Sequence, residues 1–177
     1  MRKLIFLFAI LLSQTVITAQ INFKTNLGFK AGLNNSDVVG TEKNGTATGF
    51  TDTTFYAGFF ADTKLAKNIS LENELLFSMT NDYFFIELPI HIKQHVFKKF
   101  FAFYGTKLDF ASTDRRPDYE IEPLGISGEI GAQYLLTNKL FLELRYSHGF
   151  TEQINDNVLE ILNARRNTLR LGIGVKF

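Results

Sequence analysis

The sequence predicts an all-β protein, an eight-stranded antiparallel up-and-down transmembrane β-barrel. Three observations predict it: eight stretches in which apolar and polar residues alternate one for one, the length of those stretches, and connections that alternate between long and short. Strict alternation puts successive side chains on opposite faces of a strand, a pattern no helix produces. Ordinary globular strands average ~5–6 residues, whereas a tilted strand needs ~9–11 to cross a bilayer. The composition suits strands: 19 Phe, only 3 Pro and no Trp in 177 residues, enough for one domain. With a net charge of +1 there is no pull toward nucleic acid. The absence of Cys excludes a disulfide framework, a thiol nucleophile, Cys-ligated metal and a lipid anchor on an N-terminal Cys.

The first element is an address. In MRKLIFLFAILLSQTVITA (1–19), Arg2 and Lys3 precede an apolar run from Leu4 to Leu12, and a polar patch leads to the small Ala19. That is the layout of a secretory signal peptide, and the run is too short to span a bilayer, which takes ~20 residues. Cleavage after Ala19 leaves residues 20–177 as a barrel domain exported to the bacterial outer membrane. Without Arg2 and Lys3 the remaining chain holds 17 basic and 18 acidic residues.

The strands follow in order. Residues 22–32 set Phe23, Leu27 and Phe29 against Lys24, Asn26 and Lys30. Residues 54–63 carry Phe55, Ala57, Phe59 and Ala61 on one face, although Tyr56 and Phe60 make the other face partly apolar. In 69–79, Ile69, Leu71, Leu75, Phe77 and Met79 oppose Glu72 and Glu74; in 84–96, Phe84 to Ile92 oppose Glu87, His91 and Lys93. Residues 100–110 oppose Lys107 and Asp109 to an apolar face, 123–135 oppose Glu129, and 139–150 oppose Glu143 and Arg145. The last stretch, 167–177, sets Arg170 and Lys176 against Leu169, Leu171, Ile173, Val175 and Phe177. Pro89 stands within a strand, where its missing N–H calls for a bulge.

Connections 64–68, 97–99 and 136–138 are short; 33–53, 111–122 and 151–166 are long, and 80–83 is a short exception. Short periplasmic turns and long outer loops are the outer-membrane arrangement. The segment 33–53 is polar and is expected to be a mobile loop. In 151–166, Ile154, Val158, Leu159, Ile161 and Leu162 follow helical spacing and suggest a short amphipathic helix.

Hydrocarbon cannot satisfy backbone N–H and C=O groups, so the sheet must close, with its apolar face to lipid and its polar face inward. The polar faces then hold Lys24, Lys30, Lys93, Lys107, Arg145, Arg170 and Lys176 against Asp62, Glu72, Glu74, Glu87, Asp109, Glu129 and Glu143. Seven against seven is the balance that a narrow interior demands, because unpaired buried charge is costly. Eight strands leave room only for side chains, so the interior is expected to be plugged. Gly28, Gly58, Gly105, Gly125, Gly131, Gly172 and Gly174 fall on the same inward face and relieve crowding there. Phe23, Tyr83, Phe97, Tyr134, Tyr146 and Phe177 are candidates for interfacial girdles.

The alternation of Leu169, Leu171, Ile173, Val175 and terminal Phe177 resembles the C-terminal signal read by the barrel-assembly machinery. The stretches FKAGLNNS (29–36), FFIELPIHIKQH (84–95), GISGEIGAQY (125–134), LFLELRYSHGF (140–150) and LRLGIGVKF (169–177), in this order, resemble the PorT-like outer-membrane β-barrel family of Bacteroidetes. The resemblance implies the barrel fold and a Pro at the place of Pro89. The family's namesake takes part in type IX protein secretion, so the resemblance also implies an accessory role there as an alternative.

Little catalytic chemistry is legible. His91 and His95, four apart on a strand, are separated by ~13 Å and cannot share a metal ion. Ser36, Asp37 and His148 imitate the constellation of a lipid-modifying barrel, with no feature that fixes their geometry. Glu72, Glu74, Glu87 and Glu129 read as counter-ions rather than as an acid–base pair. There is no phosphate loop, zinc spacing or nucleophile elbow, so no enzyme, cofactor or metal is expected. Partners are sought in outer-membrane lipid and lipopolysaccharide, whose phosphates suit Arg115, Arg116, Arg165 and Arg166. A surface or secretion partner would meet loops 33–53 and 151–166. The expected role is structural or binding, with accessory secretion and lipid modification as alternatives.

Overall fold

Eight long strands close into a cylinder in the computed structural model, which describes residues 24–42, 45–80, 84–112, 120–121, 124–152, 154–156 and 161–177. The signal-peptide reading falls on residues 1–19 and lies outside the described residues. The strands are β1 (Thr25–Glu42), β2 (Ala47–Ala66), β3 (Ile69–Met79), β4 (Phe84–Phe97), β5 (Phe100–Ser112), β6 (Glu120–Ile121), β7 (Leu124–Leu135), β8 (Leu140–Gly149), β9 (Ile154–Asp156) and β10 (Ile161–Lys176). Eight of them form the wall in the order β1-β2-β3-β4-β5-β7-β8-β10, and an antiparallel β1–β10 pairing closes it. The short β9 pairs with β10, and β6 with β9. No helix occurs among the described residues.

Every wall strand obeys the alternation. On β8 the odd-numbered residues from Phe141 to Gly149 are buried and the even-numbered ones exposed. The outer surface is a belt of Leu, Ile, Phe and Tyr, while charged side chains such as Lys30, Glu87 and Arg145 are at most 1% exposed inside. A soluble barrel distributes these two sets the other way round. At ~3.3 Å per residue and a tilt near 40°, the eleven residues of β3 rise ~25 Å, the height of the apolar band of an outer-membrane barrel. Phe97, Tyr134, Tyr146 and Phe177 face outward on this belt; Phe23 and Tyr83 lie outside the described residues.

Three expectations are corrected. Most of 33–53 is not a loop: β1 and β2 pair without interruption from Thr25↔Thr63 to Thr41↔Ala47. Nor does 151–166 form a helix in its described parts, since Ile154–Asp156 and Ile161–Lys176 are strands. The reason is the same in both places. Outward residues are apolar up to Leu33, Phe55 and Leu169, then turn mostly polar from Asn35, Thr53 and Asn167, with Val39 as an exception. These strands continue into water, where both faces can be polar and the alternation fades. Finally, Pro89 makes no bulge. The β3–β4 ladder lapses opposite Leu88 and Pro89 and resumes in the same register, Asn73↔Ile90 before it and Leu76↔Glu87 after.

At the turn end short turns surround an open cleft lined by Asp62, Lys93, His95, Phe101 and Lys176. Lys98 takes a left-handed backbone (φ 46°) between β4 and β5, and Phe97 stacks on Phe100 with ring centroids 5.4 Å apart. Phe177 N–H donates to the Leu27 carbonyl (2.9 Å) at the foot of the closing seam.

Candidate functional site

The interior is the candidate site, because it gathers nearly all the buried ionisable chemistry of the described residues. It is built by parity: even residues of β1, β2, β3 and β10 and odd residues of β4, β5, β7 and β8 all point to the axis.

At the centre, the Lys30 ammonium donates to Glu72 (3.0 Å), Glu74 (2.8 Å) and Glu143 (2.8 Å). Arg145 sets its fork on both oxygens of Glu74 (2.8 and 2.9 Å) and also reaches Glu143 (2.8 Å) and Glu129 (3.3 Å). Such bidentate, charge-assisted contacts are the strong ones. The Gln133 amide donates to Glu143 (2.7 Å) and Glu72 (3.1 Å). His91 lies between two carboxylates, with Nε2 2.8 Å from Glu129 and Nδ1 3.4 Å from Glu74. Toward the turn end, Lys93 bridges Asp62 and Glu72, and Lys176 reaches Asp62 at 3.3 Å.

Toward the loop end the roles of the signs are exchanged. Glu87 is shared by Arg170 (2.6 Å), Arg166 (3.3 Å) and Lys107 (3.4 Å), and it accepts from Ser78 Oγ at 2.5 Å. Lys107 also pairs with Asp109 (3.2 Å), which Ser127 bonds at 3.3 Å. Arg170 donates to Asn34 (2.7 Å), and Arg166 to Ser36 and Ser78 (3.2 and 3.3 Å).

The charged groups are wedged by aromatics. Arg166 lies 3.7 Å over the Phe85 ring, Arg170 over Tyr56, Arg145 over Phe103, and Lys30 beside Phe60 and Phe141. A cation on a desolvated ring face gains electrostatic attraction as well as packing. Inward glycines make room for these rings: a Cβ on Gly28 would strike Phe60, on Gly131 Phe103, on Gly172 Tyr56, and on Gly174 Phe141. The crowding they relieve is thus aromatic as much as ionic.

Eleven of the twelve residues expected in the interior network lie there: Lys30, Glu72, Glu74, Glu87, Lys93, Lys107, Asp109, Glu129, Glu143, Arg145 and Arg170. Lys24 does not. It is exposed ahead of β1. Its place in the charge count is taken by Arg166, which the sequence pattern places in an outer loop and which is 3% exposed inside the barrel. Arg166 shares parity with Arg170, so carrying the last strand's alternation back across Thr168 finds it. The interior remains balanced: Lys30, Lys93, Lys107, Arg145, Arg166, Arg170 and Lys176 face Asp62, Glu72, Glu74, Glu87, Asp109, Glu129 and Glu143. Tyr56, Phe60, Leu76, Phe85, Phe103 and Phe141 complete the filling, so the inward face is less polar than its charges suggest.

No catalytic grouping assembles from the sequence candidates. Ser36 is buried and bonded to Asn34 and Arg166; Asp37 points outward to Thr51; His148 sits on the lipid face of β8 against Phe150. His95 stays at the turn rim, bonded to the Lys98 carbonyl. Glu72, Glu74 and His91 offer ligand atoms within 4.8 Å of one another, but the Lys30 ammonium already serves both carboxylates as their cation. Leu169, Leu171 and Ile173 on β10 and Phe177 just after it are exposed on the outer face, which Val175 shares.

Solved structures share this architecture. Neisserial surface protein A aligns with a TM-score of 0.56 and 14% identity, covering 87% of this chain and 99% of that one. Ail, the attachment invasion locus protein of Yersinia pestis, in complex with the heparin analogue sucrose octasulfate, aligns with a TM-score of 0.55 and 11% identity over 87% and 99% of the two chains. No protein-family model and no curated protein matches the sequence. An apolar belt around a closed, ion-filled cylinder and these neighbours define the class, an integral β-barrel of the bacterial outer membrane. Within it the chain is of the small, eight-stranded kind.

Proposed function

We propose that this protein is a non-conducting outer-membrane barrel that works by binding through its outer end. One observation carries the reading: from Lys93 to Arg166 the interior is filled by paired charges and aromatics, while β1, β2 and β10 rise beyond the belt. Lys30, Glu72, Glu87 and Arg145 are at most 1% exposed, and an open water path would wet them. The raised wall and the segments beside it offer the contact surface. A heparin-like polyanion, such as the sucrose octasulfate bound to Ail, is a poor fit. In sequence, the loop-side ends hold Asp37, Glu42, Asp52, Asp82, Asp114, Asp118, Glu120, Glu122, Glu152, Asp156 and Glu160 against Lys43, Arg115, Arg116 and Arg165. That charge favours a basic partner. Arg165, exposed on the outer face, supports a lipopolysaccharide phosphate contact, which Arg166 inside the barrel cannot make.

The charged, apolar and small layout of residues 1–19 supports export by a signal peptide, the Leu169–Phe177 alternation supports assembly by the barrel machinery, and the PorT-like resemblance supports membership in that family of Bacteroidetes. It also supports a second reading, an accessory role in type IX secretion. The filled interior and the separation of Ser36, Asp37 and His148 support binding over lipid-modifying catalysis. Planar-bilayer recording of the refolded protein tests the main reading: it predicts no ohmic conductance, and a stable open pore would refute it. Loss of secreted cargo in a deletion strain would favour the second reading.

A further inference from the structure

The turn end of the barrel carries a ring of lysines. Lys24 precedes β1, Lys64 and Lys67 flank the β2–β3 turn, Lys98 and Lys99 form the β4–β5 turn, and Lys139 ends the β7–β8 turn; all six are exposed. Among the described residues at this end there is no exposed Asp or Glu: Asp62, the carboxylate there, is buried and paired with Lys93 and Lys176. Each turn also carries exposed apolar residues beside its lysines, Leu65, Val96, Phe97 and Leu136. These form the lower edge of the belt that meets hydrocarbon, so the turn lysines lie level with the polar layer of the bilayer, Lys64 and Lys67 at the mouth of the lumen beside Asp62 and Lys93. Lys99 runs along the rim to the Leu136 carbonyl (3.2 Å), which keeps its charge there. A long apolar stem beside lipid with its charge at the interface is the snorkelling arrangement of lysine.

We infer that this ring binds the phosphate groups of anionic phospholipids in the periplasmic leaflet. The lysines occur in all three turns and at the first strand, around the circumference. Lys98, Lys99 and Lys139 also stand beside the lipid-embedded Val96, Phe97 and Leu136, which favours headgroups over an acidic protein docked on one side. Clustered lysines at a membrane surface attract anionic lipid, and salt screens the attraction within a Debye length.

The test uses the full barrel in vesicles containing only lipid, with spin-labelled phosphatidylglycerol and phosphatidylcholine compared in the first lipid shell. The native protein should prefer phosphatidylglycerol by about 2–4-fold at low salt, falling toward parity at ~0.5 M salt. The variant K24Q/K64Q/K67Q/K98Q/K99Q/K139Q should show no preference, and the corresponding all-arginine variant should keep it. Heat-shifted migration in a gel shows that each barrel is folded; should the glutamine variant fail it, salt dependence in the native protein decides. Equal partition by the native protein would overturn the inference and leave the ring to an acidic protein. A preference that survives the glutamines, or ignores salt, would overturn it as well.

Discussion

The centre of the barrel and its loop-ward end solve the same electrostatic problem with opposite signs. At the centre two cations, Lys30 and Arg145, are surrounded by Glu72, Glu74, Glu129 and Glu143. Nearer the loops, Lys107, Arg166 and Arg170 converge on Glu87, with Asp109 as the other carboxylate. A buried charge is tolerable only while its partners hold it, and losing one partner leaves the others uncompensated. The vulnerable residue in each region is therefore the minority sign: Arg145 at the centre, Glu87 above.

Substitutions can break this contrast in graded steps, read as guanidinium unfolding in detergent followed by circular dichroism. Arg145→Met strands Glu74, Glu129 and Glu143 and should cost most, about 3–5 kcal/mol. Glu87→Gln leaves three cations facing one another across Asp109 and should cost about 3 kcal/mol. Arg166→Met removes a majority charge, keeps the packing over Phe85, and should shift stability by no more than about 1 kcal/mol. Lys24→Ala, outside the network, should stay within about 0.5 kcal/mol. If Arg166→Met proved as damaging as Glu87→Gln, the rule of the minority sign would fail.

What the sequence reveals follows from where water is. Inside the bilayer, lipid on one side and paired charge on the other force alternation. There β3 is read to the residue, Ile69–Met79, and β4, β5, β7 and β8 within a residue or two at each end. Above the bilayer the constraint lapses, so the upper halves of β1, β2 and β10 look like loops, and Arg166 passed for a loop residue with them. Within the interior, parity locates the charges but not their partners: Lys30 draws its carboxylates from β3 and β8, residues 42 to 113 positions away. The same parity put Tyr56 and Phe60 inside, yet only the packing shows that glycines on facing strands are shaped around such rings.

Everything rests on neighbouring residues of one strand facing opposite worlds, which a single pair of tryptophans can test, since the chain has none of its own. Phe85 is 1% exposed inside the barrel; Ile86, next to it, is 38% exposed on the belt. With the protein in bilayers containing brominated lipid, the fluorescence of Ile86→Trp should be quenched by the lipid. That of Phe85→Trp should be quenched neither by the lipid nor by aqueous iodide. Iodide quenching of Phe85→Trp would mean a water-filled lumen, and lipid quenching of Phe85→Trp but not Ile86→Trp would mean the faces are reversed; either result would contradict the account.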